Sequence, residues 1–130
     1  MTSLDIRGTI TGSVALAYKA PCLVATTSNI TLNGAQTIDG GLVGNNSERI
    51  LVLAQSDQTQ NGIYNAATSD WTYATDWSNN NNISDGTQVI VTSGATNAGL
   101  VFVQTCADSP IVIGTSLITF VTLPPRFVLS

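Results

Sequence analysis

Two β-strands and the connection between them lie in one stretch of the chain, Glu48-Arg-Ile-Leu-Val-Leu-Ala-Gln-Ser-Asp-Gln-Thr-Gln-Asn-Gly-Ile-Tyr64. The apolar run at residues 50–53 is short and rich in branched side chains, which is typical of a buried strand. The dipeptide Asn61-Gly62 predicts a tight turn, because both residues tolerate positive φ, and a second strand follows it. Between the two strands, residues 56–60 favour a single helical turn whose first two residues could cap its free amides.

The rest of the chain repeats this pattern of short strand signals bounded by Gly, Asn, Asp or Ser clusters. Such spacing predicts an all-β fold, an antiparallel β-sandwich or barrel-like domain with short connections. No stretch has a helical apolar period long enough to predict a true helix. Strands are predicted at residues 4–10, 22–25, 30–32, 49–54, 63–67, 71–74, 88–92, 100–105, 111–113 and 117–123.

Turn residues and composition divide the chain into one domain with two appendages. Asp39-Gly40-Gly41 and Asp85-Gly86 predict tight reversals, and the Asn-rich residues 79–82 predict an exposed loop. A length of 130 residues is sufficient for one domain with a real core. We therefore expect an N-terminal strand and linker at residues 1–21, a β domain at residues 22–123 and a C-terminal tail at residues 124–130.

The charge content excludes two classes of partner. Charged residues make up only 9% of the chain and the net charge is −4. The cations, Arg7, Lys19, Arg49 and Arg126, are scattered along the chain, whereas a phosphate backbone is bound by clustered Lys and Arg. We expect no binding to nucleic acid, and for the same reason none to an anionic membrane surface.

The residue types that most often perform catalysis are missing. The chain contains no His, which removes the commonest general base, and its eight acidic residues nearly all lie in turn contexts. We expect no enzyme activity, no cofactor and no metal site. Cys22 and Cys106 could form a disulfide, belong to a metal site or be small buried residues in strands; synthesis in a reducing cytosol favours free thiols, and zinc would need ligands from distant loops.

The aromatic residues allow two interpretations. Tyr64, Trp71, Tyr73 and Trp77 could form a platform for stacking sugars, but aromatic residues near strand ends more often fill a small β core. Core positions are favoured for Tyr64 and Trp71. Trp77, beside the Asn-rich loop, is the candidate glycan contact.

The order of parts around the opening stretch resembles a small β module found in virion proteins of tailed phages. Residues 25–32 and 36–40 precede the stretch, and residues 71–76 and 96–103 follow it, in the order that the module shows. The resemblance covers roughly residues 22–122 and is most specific in Asn61-Gly62-Ile63-Tyr64 followed by Trp71 and Asp76. It implies a structural role in tail fibres or in proteins attached to the phage head.

The length of the chain favours the head over the tail. Fibre proteins that carry such modules also contain collagen-like, coiled-coil or shaft segments, and this sequence has neither Gly-x-y repeats nor heptads. We expect a capsid decoration or cement protein, a homotrimer on the major capsid protein, assembled in the host cytoplasm and located in the virion. The alternative is a tail-fibre or baseplate component with a receptor-binding or glycan-binding role.

The two ends of the chain hold the candidate contacts with other subunits. Leu4 and Ile6 alternate with polar residues, as in a strand that adds to the sheet edge of a neighbour. At the other end, Pro124-Pro125 precede Arg126, Phe127, Val128 and Leu129, and the two prolines prevent a sheet ladder there. This apolar tail either folds back on its own domain or inserts into a partner.

Overall fold

The computed structural model describes residues 18–79 and 83–123, and this part of the chain is all-β, as predicted, with no α-helix. One 3-10 turn, Gln58–Gln60, lies where the helical turn was expected, and the Asp57 carboxylate caps it by accepting the Thr59 amide at 3.1 Å. The strands are β1 (Val24–Ala25), β2 (Gln36–Ile38), β3 (Gly41–Val43), β4 (Arg49–Val52), β5 (Gly62–Asn65), β6 (Thr72–Tyr73), β7 (Gln88–Ile90), β8 (Val101–Gln104) and β9 (Phe120–Thr122).

The central sheet has the strand order β1-β4-β5-β6 and is covered on both faces. Ile50 and Val52 of β4 point into a small core, whereas Leu51 between them points into a large core on the opposite face. Successive side chains of a strand alternate between faces, so a strand with two covered faces must be apolar at every position. This explains the uninterrupted apolar run that made β4 the clearest strand in the sequence.

The outer sheet has the antiparallel order β9-β8-β7 and closes the large core from the other side. Its side chains Val89 and Phe102 pack in the large core with Leu51 and Ile63 of the central sheet. The domain is therefore a sandwich of two sheets over the large core, and the small core lies on the far side of the central sheet.

Residues 18–26 connect the two sheets. Lys19 and Cys22 donate their amides to the carbonyls of Gln88 and Ile90, both at 2.9 Å, so that this segment runs parallel to β7. It then continues into β1, which pairs in parallel with β4. The first described residues are thus hydrogen-bonded to the domain before the first strand of the central sheet begins.

The hairpin of β2 and β3 encloses the small core through Ile38 and Val43. Its turn was predicted correctly: Asp39 and Gly40 have φ of 49° and 87°, values that glycine and aspartate tolerate better than most residues. The flanking strands β2 and β3 were not predicted.

Two details of the predicted topology need correction. Residues 30–32 and 111–113 were predicted as strands and form none. The pairing of β1 with β4 is parallel, as are the bridges of Tyr18 and Cys22 to the strand β7 and the residue after it, whereas the other strand pairs are antiparallel. The described sheets form no closed barrel. The predicted strand at residues 4–10, the tail at residues 124–130 and most of the Asn-rich loop lie outside the described residues.

Candidate functional site

Of the residues on which the resemblance depends, Asn61 to Tyr64 run from the 3-10 turn into β5, whereas Asp76 pairs with Arg49, opposite the other end of β5. Asn61, which is buried, uses its whole side-chain amide: Oδ1 accepts the Gln55 amide at 3.0 Å, and Nδ2 donates to the Ile118 carbonyl at 2.8 Å. Buried polar groups must find partners, and these two bonds hold the connection between β4 and β5 together and fix it against residue 118. The tight turn predicted at Asn61-Gly62 does not form, because Asn61 has an extended backbone (φ −68°, ψ 147°) and Gly62 already begins β5.

Gly62 lies directly under the indole ring of Trp77. A β-carbon on Gly62 would come to 2.8 Å from Cδ1 of Trp77, closer than real β-carbons approach other atoms. The glycine is therefore needed for the close approach of ring and backbone, in addition to any turn preference.

Trp77 is fully buried, which corrects its assignment as the candidate glycan contact. The ring packs in the large core, with the Phe120 ring 5.9 Å away at a tilt of 34°. A sugar-stacking ring must present a face to solvent, and this one presents none. The indole Nε1 has no hydrogen-bond partner among the described residues, because the ring faces the backbone of Gly62 and apolar side chains.

Tyr64 and Trp71 are core residues, as predicted. The Tyr64 ring stacks on Tyr73 with 4.5 Å between centroids, and its hydroxyl donates to the Gln60 carbonyl of the 3-10 turn. Burial raises the pKa of the Tyr64 phenol well above its ordinary value, with a further contribution from Tyr73. Trp71 donates its indole N–H to the carbonyls of Gly34 and Ala67, at 3.0 and 3.2 Å, and so holds the start of the β2–β3 hairpin.

Asp76 forms a bidentate ion pair with Arg49. The guanidinium Nη1 and Nη2 lie 2.8 and 2.7 Å from the two carboxylate oxygens, and the exposed fractions of the Arg49 and Asp76 side chains are 20% and 32%. Arg49 also donates Nε to the Ala20 carbonyl at 3.0 Å, which fixes the segment that joins the two sheets. Paired guanidinium–carboxylate bonds of this geometry are among the stronger polar contacts in proteins.

The ion pair sets the protonation of the charged groups around it. Desolvation raises the pKa of Asp76, but hydrogen bonds and charge from Arg49, with the charge of Lys19, outweigh it and leave that pKa below its ordinary value. Desolvation lowers the pKa of Lys19. The charge of Asp76 opposes this decrease, and the charge of Arg49 adds to it. The carboxylate is therefore the stabilising partner of two neighbouring cations.

Cys22 and Cys106 are both free and both buried in the large core. Burial raises the pKa of the Cys22 thiol to about 12, so that it stays protonated at neutral pH. A protonated, buried thiol is a poor nucleophile, and both cysteines serve here as small packing residues.

A cleft of about 420 Å³ lies beside the turn of the β2–β3 hairpin. Its one carboxylate, Asp39, accepts the backbone amides of Thr96 and Asn97 at 2.9–3.0 Å. Desolvation raises the pKa of Asp39, but these hydrogen bonds lower it below its ordinary value. Asp39 therefore holds the hairpin against the loop before β8, which is a structural use of the carboxylate.

None of the candidate subunit contacts lies among the described residues. Leu4, Ile6, Arg126, Phe127, Val128 and Leu129 all lie outside residues 18–79 and 83–123. Within those ranges, no group of three or more His, Cys, Asp or Glu side chains could hold a metal ion. No helix in the same part of the chain is long and apolar enough to cross a membrane.

Sequence reasoning missed two of the residues that organise this region. Gln55 and Arg49 were assigned only to a strand and its connection, yet each bonds to several distant groups. The available signal was a charged or amide side chain beside a fully apolar strand in a chain with few charges, since such a residue needs partners when it is partly buried.

Comparison with known proteins gives no significant match to a protein-family model, a curated protein or a solved structure.

Proposed function

We propose that this chain is a structural protein of a phage virion, a capsid decoration or cement protein that stabilises the head. The observation that carries the proposal is that the residues on which the phage resemblance depends have structural roles in this domain. Asn61, Gly62, Tyr64, Trp71 and Asp76 fix the 3-10 turn, the hairpin and the two sheets in place. Residues with these structural roles suit a module that keeps a fixed shape and presents surfaces to neighbouring subunits.

Five of the eight acidic residues have internal partners, which supports a structural function over a catalytic one. Asp39 and Glu48 accept backbone amides, Asp57 caps the 3-10 turn, Asp70 accepts the Asn33 side-chain amide at 2.7 Å, and Asp76 pairs with Arg49. Hydrolysis of a glycoside needs two carboxyl groups free to face one bond. Carboxylates with fixed internal partners are better suited to stability, and we propose that the chain is not an enzyme.

A homotrimer bound to the major capsid protein fits the low charge of the chain. Only 9% of its residues are charged, so three domains can pack with little repulsion and little desolvation of ions. Three linked copies also bind more tightly than one, because each contact raises the effective concentration of the next. Such a gain suits a protein that bridges capsomers against the internal pressure of packaged DNA.

The alternative is a tail-fibre or baseplate component with a receptor-binding role. The glycan-binding version of this alternative no longer has a candidate contact residue, because Trp77 is buried. If the fibre alternative is right, receptor contacts must come from other surfaces of the chain.

Cryo-electron microscopy of the purified virion tests the proposal directly. We expect density for the domain at threefold or quasi-threefold positions of the shell. Copies confined to the tail would refute the cement function and favour the fibre. In a second arm, recombinant chain is added to particles that lack it, and DNA release on heating is followed. An unrelated β protein of equal net charge is the control, and only this chain should raise the release temperature.

A further inference from the structure

The strand β9 is an edge of the outer sheet that no other described strand covers. It pairs with β8 on one side only, in the sheet order β9-β8-β7. Leu123, directly after β9, donates its amide to the Val101 carbonyl at 3.0 Å. Main-chain groups alternate between the two sides of an antiparallel strand, so Val121 also bonds to β8. The N–H and C=O groups of Phe120 and Thr122 therefore point away from the sheet.

The free part of this edge is short and has a definite limit on each side. Ile118, two residues before Phe120, donates its amide to the Gln58 carbonyl at 3.1 Å and accepts the Asn61 side-chain amide at 2.8 Å. Pro124, two residues after Thr122, has no N–H to donate. Among the described residues, Phe120 and Thr122 have no main-chain partner on the outer side. Their two donors and two acceptors are arranged symmetrically about the residue between them.

The strand β9 lacks the features that usually protect a sheet edge. Edge strands are commonly blocked by a lysine, a proline or a bulge, because free main-chain groups attract another strand. The sequence of β9 is Phe-Val-Thr, without a charge, and its register with β8 is continuous. Val121 at its centre is 52% exposed. The strand is therefore suited to receive a further strand at this edge.

We propose that β9 pairs in antiparallel orientation with β9 of a second copy of this chain, about a twofold axis at Val121. In this register Phe120 of each copy lies opposite Thr122 of the other, and each such pair exchanges two hydrogen bonds. Val121 lies opposite its own counterpart, with about 4.5 Å between the Cα atoms. A second copy thus satisfies every free group by symmetry, and two uncharged strands approach without repulsion.

This contact goes beyond the proposed homotrimer. A twofold contact joins one chain to one other and cannot close a ring of three, so on a shell it links chains of neighbouring trimers. Two edges of three residues bury little area compared with the roughly 1,200–2,000 Å² of a stable interface. We therefore expect weak pairing in free solution and stronger pairing where copies are held side by side.

Amide hydrogen exchange of the full chain, measured by NMR over micromolar to millimolar concentrations, tests the proposal. The amides of Phe120 and Thr122 should exchange more slowly as the concentration rises, by about twofold once half of the chains are paired. The Val121 amide is the internal control, because its bond to β8 lies within the domain and its exchange should not depend on concentration. Slow exchange of Phe120 and Thr122 at every concentration would show that the chain covers its own edge.

A single cysteine at the twofold axis gives an independent measurement. Val121→Cys should form a disulfide-linked dimer on mild oxidation, because a Cα separation of about 4.5 Å lies within the range of disulfides. Leu117→Cys is the matched control: residue 117 is 59% exposed, and in the paired register its two copies lie about 26 Å apart. We expect dimer formation about tenfold faster for Val121→Cys. The native thiols Cys22 and Cys106 are buried and do not compete.

A charge exchange at the same position separates pairing from damage to the fold. Val121→Lys and Val121→Glu each place like charges opposite one another, so either variant alone should lose the concentration-dependent protection of Phe120 and Thr122. A mixture of the two variants places opposite charges there and should restore the protection. Circular dichroism checks that both variants are folded. A mixture that behaves like each variant alone would contradict the twofold register.

The outcomes separate this inference from the proposed function. A trimeric parent whose edge amides exchange at the same rate at all concentrations overturns the β9 pairing and leaves the trimer standing. Equal rates of disulfide formation for Val121→Cys and Leu117→Cys also overturn the pairing. A parent that forms dimers through β9 but no trimer overturns the trimer and leaves this inference standing.

Discussion

Replacing Asp76 by Asn should destabilise the protein far more than its position in a turn suggests. The substitution keeps the shape of the side chain but removes the charge that faces Arg49 across bonds of 2.7 and 2.8 Å. Asn can accept one of the two hydrogen bonds, in a weaker neutral form. Arg49 is then left mostly buried and beside Lys19, without the carboxylate that balances both cations.

The size of the effect follows from the exposure of the pair. Exposed ion pairs contribute about 0.2–1 kcal/mol, whereas removal of one partner of a buried pair costs about 3–5 kcal/mol. Exposed fractions of 20% and 32% place this pair between the two cases. We therefore expect Asp76→Asn to lower the free energy of unfolding by about 2 kcal/mol and the melting temperature by about 8 °C.

Urea unfolding at pH 7, followed by circular dichroism, measures this difference, and the slope against urea should not change. Asp85→Asn is the matched control, because Asp85 is exposed in a turn, and it should alter stability by less than about 0.5 kcal/mol. An equally small effect of Asp76→Asn would refute the argument that the ion pair anchors residues 18–22.

The same pair predicts a pH dependence with a definite sign. The pKa of Asp76 is lower in the folded than in the unfolded protein, so as the pH falls the unfolded chain takes up the proton first. The stabilisation is therefore complete above the unfolded value of about 3.9 and is lost as the pH falls through the folded value. The parent and Asp76→Asn should converge in stability at that acidic end. A difference that stays constant down to pH 2 would contradict this.

Three further predictions concern the core. Gly62→Ala should cost about 3 kcal/mol, because its β-carbon would overlap the Trp77 ring, and should cost much less in a Trp77→Ala background, as chemical denaturation of the single and double variants can show. Tyr64→Phe should cost about 1 kcal/mol by leaving a main-chain carbonyl of the 3-10 turn without its donor; an unchanged unfolding midpoint would contradict this. Cys22 and Cys106 should resist a thiol reagent in the native protein and both react in denaturant, whereas rapid native labelling would show that the large core is open.

The sequence was sufficient for features that arise from the chain's own periodicity. The strands β4 and β5 were predicted correctly, β4 from its apolar run, although the Asn-Gly turn predicted before β5 does not form. The Asp39–Gly40 turn and the capped 3-10 turn were also found from local signals. These features depend on residues within a few positions of one another.

The failures arise where a distant side chain replaces a neighbouring strand. Residues 30–32 resemble a strand, but the Gln55 side chain takes both the amide and the carbonyl of Ile30, at 2.9 and 3.0 Å, which leaves no ladder there. Residues 111–113 fail similarly, because the Ile113 amide donates to the Asn79 side chain at 2.7 Å, and the Val112 carbonyl accepts the amides of a tight turn. No local sequence pattern reveals a hydrogen-bond partner that lies 25 residues away.

The candidate site shows the same limit. Tyr64 and Trp71 were assigned to the core because large aromatic residues usually fill small β domains. Trp77 was the candidate glycan contact because it lies beside the Asn-rich loop, yet its ring packs against Gly62 in the large core. The pairing of Arg49 with Asp76 joins positions 27 residues apart, and a single sequence does not reveal such pairs.

The direction of the strands at the outer sheet also determines how the domain responds to tension. The segment beginning at Tyr18 runs parallel to β7. Strand β9 runs in the same direction, because β7 and β9 are both antiparallel to β8. A pull on Tyr18 toward the N-terminus and on Leu123 toward the C-terminus therefore acts in opposite senses along the strand axes. The hydrogen bonds between the strands lie across that axis, so they are sheared together and not opened one after another. Stretching single molecules from these two ends should give a higher rupture force than stretching from Leu42 and Leu123, and the domain is thus built to resist being drawn apart along its own chain.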